Sequence, residues 1–159
     1  MTGRVGMGFD VHPRGDDPER PMVLGGVRFE GPGLAGHSDS DVIAHACTDA
    51  LLGAAGLGDI GSHFPDTDER FAGADSIELL RAVGDEVRDA GWRVANVDCS
   101  VVCDEPGIAP HRALMQQRLS DAVGGPVTVK GKRPEGLGAL GRGEGIACWA
   151  VALLERDTP

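Results

Sequence analysis

Helical and strand-like hydrophobic patterns alternate along this chain, and their order is what constrains its fold most strongly. Three stretches with helical spacing end near Ala55, Ala90 and Val123, and runs rich in Val, Ile and Leu lie between and around them. Such alternation is typical of helices packed on a sheet. Because 159 residues suffice for one core, we expect a single domain over residues 1–159. The predicted class is α/β, as an α+β sandwich in which one β-sheet layer is packed by three helices.

The predicted strands are short runs bounded by Gly, Pro or charged residues. They cover residues 5–10, 22–29, 94–102, 127–130 and 145–154. The pair Gly25-Gly26 interrupts the second run, which indicates a bend or bulge. The last run is almost continuously apolar, which predicts a strand buried on both faces.

The predicted helices have recognisable starting residues. They run from residue 38 or 39 to about 55, from 75 to about 90, and from 110 to 123. Ser38 or Asp39 can cap the first helix and Asp75 the second, because their side chains accept from free backbone N–H groups. The acidic loop of residues 56–74 is long for a compact domain, and such loops are usually functional.

The charge balance and the length of the apolar runs exclude two classes of partner. Acidic residues outnumber basic ones by 25 to 15, whereas nucleic acids and anionic membranes attract basic proteins. No apolar run approaches the roughly 18 residues of a membrane span, so we expect neither nucleic acid nor membrane as partner.

The four cysteines lack paired spacing, and the first residues lack a signal-peptide pattern. These features predict reduced, buried thiols and a cytoplasmic location.

Two nearby side chains near the N-terminus suit a metal ion. Asp10 and His12 are two residues apart, so on a strand both leave the same face. His45 lies on a polar stripe of the first helix, and a helix laid on the sheet would bring it to the same point. Two imidazoles and one carboxylate with an open fourth position are typical of catalytic zinc, although iron or manganese suits these donors too. A solvated Asp at a strand end and a His facing water are the alternative explanation.

Several loops carry groups suited to phosphate or to its counter-ions. His37-Ser38-Asp39 stands at the predicted start of the first helix, where free N–H groups and the helix dipole favour an anion. An ordinary N-cap explains the same residues. The carboxylates of residues 59–68 suit metal, hydroxyl or acid–base roles, or are solvated turn residues.

A second charged loop lies near the C-terminus. It carries Lys130, Lys132, Arg133, Glu135 and Arg142 in a Gly-rich stretch. These cations can meet phosphate oxygens, and Glu135 can hold a second divalent ion. Exposed charges on a flexible loop are the alternative.

Eight segments, taken together, carry a resemblance to one family. They are residues 9–12, 24–27, 37–42, 45–55, 57–61, 64–68, 74–76 and 141–147. Over nearly its whole length, from residue 6 to 154, the chain resembles the 2-C-methyl-D-erythritol 2,4-cyclodiphosphate synthase family of the non-mevalonate isoprenoid pathway. The resemblance implies the substrate 4-diphosphocytidyl-2-C-methyl-D-erythritol 2-phosphate, whose 2-phosphate attacks the β-phosphate and expels CMP. The product is the cyclic diphosphate.

The resemblance also implies roles for individual residues. Asp10, His12 and His45 would bind zinc or another divalent cation, and Glu135 would hold a second one, Mg²⁺ or Mn²⁺, against the diphosphate. His37 and Ser38 would contact phosphate, and Asp59, His37 and Glu135 would be the catalytic residues. The methylerythritol pocket would comprise Asp59, Ile60, Gly61, Phe64, Pro65, Asp66, Thr67 and Asp68.

The remaining implied contacts involve the nucleotide and the assembly. The cytidine pocket would comprise Cys103, Asp104, Glu105, Pro106, Gly107, Ile108 and Ala109 of the adjacent subunit. Further substrate contacts would come from Lys132, Arg133, Pro134, Glu135 and Arg142. The family is a homotrimer with active sites at its interfaces. Small residues on the last strand, Ala147, Ala150 and Ala152, suit a symmetry axis, and an ordinary central strand explains them equally well.

Two other functions stay open beside this cyclising phosphoryl transfer. One is a non-catalytic, metal-dependent nucleotide-binding module, and the other is a zinc phosphohydrolase that uses water instead of an internal phosphate. The identity of the products separates all three.

Overall fold

The computed structural model describes residues 2–156, which form six strands and five helices. The strands are β1 (Thr2–Pro13), β2 (Pro21–Leu24), β3 (Val27–Pro32), β4 (Arg93–Val102), β5 (Val127–Lys132) and β6 (Gly145–Arg156). The helices are α1 (Val42–Ala55), α2 (Ile60–His63), α3 (Ser76–Asp89), α4 (Arg112–Val123) and α5 (Gly138–Gly141). Single 3₁₀ turns occupy Glu69–Phe71 and Ala109–His111.

The main sheet has four strands in the order β1-β6-β4-β5. β6 runs antiparallel to both neighbours, and β4 and β5 are parallel. Helix α1 packs on β1 and β6, α4 packs beside β5, and α3 bridges the two helices. The predicted α/β sandwich with three main helices is therefore confirmed. Within residues 2–156, none of the helices combines the length and apolarity needed to cross a bilayer.

The outer face of the sheet contradicts one prediction. Residues of β6 alternate between buried and exposed, with Trp149 41% and Val151 46% exposed. The prediction of burial on both faces was wrong because α1 covers only one face of this strand within the described chain. Ala147, Ala150 and Ala152 are all buried within the single chain, as expected for an ordinary central strand, and their place at a symmetry axis stays a prediction.

The second predicted strand is a hairpin rather than one bent strand. β2 and β3 pair antiparallel with each other and form a separate two-stranded sheet. Gly25 and Gly26 make the turn with φ of 56° and 73°, a region that favours glycine. The predicted interruption is thus confirmed, in the form of a complete reversal of the chain.

The start of α1 lies three or four residues later than predicted. Its N-cap is Asp41, a fully buried residue whose Oδ1 accepts from the N–H groups of Ile43 and Ala44. The same carboxylate accepts from the N–H groups of Gly25 and Gly26 in the hairpin turn. Ser38 and Asp39 therefore do not cap α1, because Asp41 satisfies its first free donors and ties the helix to the hairpin.

Replacing Asp41 by Asn is expected to lower the free energy of unfolding by about 2–3 kcal/mol, because one acceptor becomes an NH₂ that faces buried N–H donors. The urea midpoint of unfolding measures this loss. Asp75→Asn is the matched control: Asp75 caps α3 at an exposed position, where Asn serves about equally well. Equal midpoints for the two variants would contradict the role given to Asp41.

The other predicted elements agree with the structure apart from their ends. Asp75 caps α3 as predicted, and α4 begins at Arg112 because a 3₁₀ turn containing Pro110 precedes it. The loop of residues 56–74 contains α2 and the turn Glu69–Phe71. All four cysteines are free and buried, as predicted.

Candidate metal centre and substrate pocket

One face of β1 carries both Asp10 and His12. On this strand Phe9 and Val11 are exposed on the outer face, whereas Asp10 and His12 are partly buried on the face toward α1. The two side chains therefore share a face, as their spacing predicts.

Two glycines on that face of β1 bring α1 within reach of the pair. A Cβ on Gly8 would lie 2.0 Å from the carbonyl oxygen of Ala46, and one on Gly6 would lie 2.1 Å from that of Ala50. Any side chain at either position would push α1 away. The close approach places His45, on the first turn of α1, over the end of β1.

The donor atoms of Asp10, His12 and His45 converge. Asp10 Oδ2 lies 3.1 Å from His12 Nε2 and 3.0 Å from His45 Nδ1, and the two nitrogens are 3.3 Å apart. A tetrahedral zinc ion with bonds of about 2.0–2.1 Å separates its ligand atoms by about 3.3 Å. The three donors thus fit a single ion in chemistry and in spacing, and they are the one such group within residues 2–156.

The charges at this point favour an ionised carboxylate. Partial burial opposes ionisation of Asp10, but the close contacts with His12 and His45 outweigh it and hold the pKa of Asp10 well below its usual range. Burial likewise opposes the charged form of His12, yet the neighbouring Asp10 carboxylate raises the pKa of His12. A negative charge between two imidazoles is a suitable environment for a divalent cation.

Each imidazole is also held at its other nitrogen. His12 Nδ1–H donates to the carbonyl oxygen of Ala35 at 2.8 Å, which leaves Nε2 facing the shared point. His45 Nε2 lies 2.9 Å from Ser76 Oγ and 3.1 Å from Ser38 Oγ. Sequence reasoning missed Ala35 and Ser76 as contributors, although residues 74–76 were among the segments that carried the resemblance.

A cavity of about 450 Å³ opens beside the three donors. Among the residues that the sequence predicted to bind substrate, those that line this cavity are His37, Ser38, Ile60, Gly61, Phe64, Pro65 and Asp66. Gly36, Phe71 and Leu79 line it as well, and sequence reasoning did not single them out. Most of the predicted methylerythritol pocket therefore adjoins the predicted metal centre.

Three residues predicted for this pocket do not line the cavity. Asp59 is exposed and caps α2, where hydrogen bonds from Ser62 lower the pKa of its carboxyl. Thr67 is exposed, and Asp68 forms an ion pair with Arg70 that lowers the pKa of Asp68 to about 2. The predicted reason for phosphate binding at His37-Ser38-Asp39 also fails, because the Asp41 carboxylate already occupies the N–H groups at the start of α1.

The predicted cytidine segment lines a separate cavity of about 340 Å³ at the ends of β4 and β5. The residues predicted to bind substrate that line this cavity are Cys103, Asp104, Glu105, Gly107, Ile108, Ala109, Lys132 and Arg133. Arg133 Nε donates to Asp104 Oδ1 at 3.1 Å across this region. The two cavities have no lining residue in common, so in one chain the two predicted halves of the site are apart.

Four other predicted residues line neither cavity. Pro106 belongs to the loop around the second cavity, and Pro134 is half-buried. Glu135 is exposed with a φ of 52°, in the left-handed region, and Arg142 is exposed and donates to Glu144 at 2.5 Å. The side chains of Glu135 and Arg142 are therefore free of the core and point to solvent in the single chain.

Known proteins match the chain over nearly its whole length. The model of the YgbB family matches residues 3–155. The 2-C-methyl-D-erythritol 2,4-cyclodiphosphate synthase of Rubrobacter xylanophilus is 57% identical, with 96% of this chain and 95% of that protein covered. The synthase of the same name from Bordetella avium is 55% identical over 97% and 96% of the two chains.

Solved structures agree with these matches. IspF of Plasmodium falciparum, solved as a CDP complex, superimposes with a TM-score of 0.84 at 32% identity, over 98% of this chain and 97% of that one. The bifunctional IspDF of Campylobacter jejuni gives a TM-score of 0.92 at 41% identity, over 98% of this chain and 43% of that longer one. The family match and the two close relatives agree over fold and length, and the chain belongs to the YgbB family.

Proposed function

We propose that this chain converts 4-diphosphocytidyl-2-C-methyl-D-erythritol 2-phosphate to 2-C-methyl-D-erythritol 2,4-cyclodiphosphate and CMP. The observation that carries the proposal is the convergence of Asp10, His12 and His45 beside a cavity lined by His37 and Ser38. It occurs in a chain that is more than half identical to synthases of that name.

Charge repulsion is the main obstacle to this reaction, because one phosphate attacks another. A divalent cation held by Asp10, His12 and His45, which we propose to be zinc, supplies positive charge that offsets this repulsion. His37 Nε2–H donates to the carbonyl oxygen of Asp68 at 2.8 Å, which fixes the ring at the wall of the cavity. The Ser38 hydroxyl faces the same cavity.

The chain supplies positioning rather than proton transfer. The attacking phosphate is already ionised and CMP leaves as a phosphate, so no activated nucleophile is required. Ile60, Gly61 and Phe64 form a largely apolar wall that suits the methylerythritol carbon chain, and Asp59 on the same loop suits its hydroxyls. Holding both phosphates in one geometry lowers the entropy cost of ring closure.

The cytidine end is assigned to the second cavity of an adjacent subunit. Residues 103–105 and 107–109, with Lys132 and Arg133, surround a space at the ends of β4 and β5. Glu135 and Arg142 extend from neighbouring loops, and we assign Glu135 to a second cation, Mg²⁺ or Mn²⁺, bound with the diphosphate. Because the two cavities are apart in one chain, a complete site needs two copies.

An exposed apolar surface supports a homotrimer. Its members are Val5, Met7, Phe9 and Val11 on β1 and Trp149 and Val151 on β6. Met7 pairs with Val151 and Phe9 with Trp149 across the two strands, and the rings of Phe9 and Trp149 are 4.9 Å apart. Contiguous exposed apolar surface of this kind usually marks an interface between proteins.

Val151→Lys is expected to disrupt the trimer, because assembly would bury an unpaired charge. Light scattering after gel filtration should give about three times the chain mass of 16.5 kDa for the parent protein and a lower mass for the variant. Leu114→Lys, at an equally exposed apolar residue on α4, is the control and should keep the parent mass. A monomeric parent protein would contradict the proposed assembly.

The state of the cysteines supports a cellular compartment for the protein. Four free, buried cysteines suit a reducing compartment. We therefore assign the enzyme to the cytoplasm.

The products of the reaction test the proposed function. The purified protein is incubated with the diphosphocytidyl substrate, CMP is quantified by chromatography, and the second product is identified by ³¹P NMR. The proposal predicts CMP and the cyclic diphosphate in equal amounts. CMP with an open-chain phosphate would indicate a phosphohydrolase, and binding without turnover would indicate a nucleotide-binding module.

A further inference from the structure

The two ring nitrogens of His45 lie in different surroundings. Nδ1 faces Asp10 and His12, at 3.0 Å from Asp10 Oδ2. Nε2 faces away from them, toward Ser76 Oγ at 2.9 Å and Ser38 Oγ at 3.1 Å. A neutral imidazole carries one proton, so only one of these nitrogens has a lone pair for a cation.

Ser76 is bound at two points to Asp39. Its hydroxyl donates to Asp39 Oδ1, and its backbone N–H donates to Asp39 Oδ2 at 3.2 Å. The capping of α3 does not need this hydroxyl, since the Asp75 side chain accepts from Ile77 N–H. Ser76 is 1% exposed, so its hydroxyl has no access to bulk water.

The direction of these hydrogen bonds determines what Ser76 can offer His45. A carboxylate only accepts, so the single hydroxyl proton of Ser76 is directed at Asp39. The oxygen lone pairs of Ser76 then remain for His45, and the nitrogen that meets them must carry the ring proton.

We propose that Asp39 and Ser76 are positioning residues that keep the proton of His45 on Nε2 and leave the Nδ1 lone pair for the cation. The inference rests on the proposed metal centre and adds two residues to it. A carboxylate that fixes the far nitrogen of a metal-binding imidazole is a common arrangement, and here a serine hydroxyl stands between the two.

The proposed hydrogen bonds also give Ser38 and Ser76 different roles. Ser38 Oγ accepts from the N–H of Ser40 at 3.2 Å and lies at the cavity. Because Ser76 accepts the His45 proton, the Ser38 hydroxyl can donate to a phosphate oxygen. Loss of Ser38 should therefore raise KM more than it weakens cation binding, whereas loss of Ser76 should do the reverse.

Cobalt binding tests this inference directly. Co²⁺ affinity is measured by competition with a chromophoric chelator on the parent protein, Ser76→Ala and Asp39→Asn, and the visible absorption of the bound cobalt is recorded. We expect each variant to bind Co²⁺ about 10- to 100-fold more weakly, with an altered visible spectrum. Ser120→Ala is the matched control, because it removes a hydroxyl that accepts from Val127 N–H at 2.9 Å on α4, and its cobalt affinity should not change.

The double variant gives the sharpest result. Because Asp39 acts through Ser76, Ser76→Ala combined with Asp39→Asn should bind Co²⁺ no more weakly than Ser76→Ala alone, whereas independent structural effects would add. Parent-like affinity and spectrum in either single variant would overturn this inference and leave the metal centre standing. A parent protein that binds no cobalt would overturn both. If one single variant does not fold, the other still tests the inference, because each variant alters the hydrogen-bonded link from Asp39 through Ser76 to His45.

Discussion

His45→Ala is expected to abolish turnover and to weaken zinc binding by more than about 100-fold, the upper end of the loss caused by residues that only support a ligand. The variant leaves Asp10 and His12 as the two remaining donors, and two donors hold a zinc ion poorly. Alanine is the best helix former, so α1 should remain intact. Zinc affinity is measured by chelator competition, and turnover by CMP release.

The control for this variant is His63→Ala. His63 is half-buried and contacts Glu86 at 3.3 Å and the carbonyl oxygen of Leu57 at 2.8 Å, away from the three donors. Its loss should leave zinc affinity unchanged. Near-normal CMP release by His45→Ala after treatment with a chelator would count heavily against the proposed mechanism.

Gly8→Ala is expected to lower the free energy of unfolding by about 3 kcal/mol or more, toward the upper end for overpacked cores. The new methyl group would lie 2.0 Å from the carbonyl oxygen of Ala46 and 2.7 Å from the backbone nitrogen of Ala50, and backbone cannot turn aside as a side chain can. Helix α1 must therefore move outward and take His45 with it. Both the urea midpoint and zinc affinity should fall together.

Gly3→Ala on the same strand provides the comparison. A methyl group there would lie 3.5 Å from Leu153, an ordinary contact at an exposed position, so the free energy of unfolding should change by about 0.5 kcal/mol at most. Gly8→Ala with the stability and zinc affinity of Gly3→Ala would show that close contact between β1 and α1 does not build the centre.

The metal donors could be predicted from the sequence because local geometry determines most of their arrangement. Asp10 and His12 must share a face of any strand, and Gly6 and Gly8 continue the same face in steps of two. Only the placement of His45 needed tertiary structure, namely a helix packed directly on β1. The convergence was therefore predictable from the spacing together with the expected packing of helix on sheet.

Other features depend on contacts between distant residues, which local patterns do not reveal. Asp41 follows two plausible caps, and only its bonds to the hairpin turn at Gly25 and Gly26 distinguish it from Ser38 and Asp39. Thr48, three residues after His45 on α1, is likewise buried, and its hydroxyl donates to the carbonyl oxygen of Ala44.

The exposed face of β6 was mispredicted for a related reason. A continuous apolar run indicates two covered faces, but it does not show whether the cover comes from the same chain or from another copy. Trp149 and Val151 are exposed in the single chain, and we assign their cover to the proposed trimer.

A crystal of the zinc-loaded protein, measured at wavelengths on both sides of the zinc absorption edge, tests the metal centre most directly. We expect one strong anomalous peak per chain at about 2.0–2.2 Å from Asp10 Oδ2, His12 Nε2 and His45 Nδ1, with a fourth position open to water or phosphate. A triad without anomalous density, in protein that still forms the cyclic diphosphate, would contradict it.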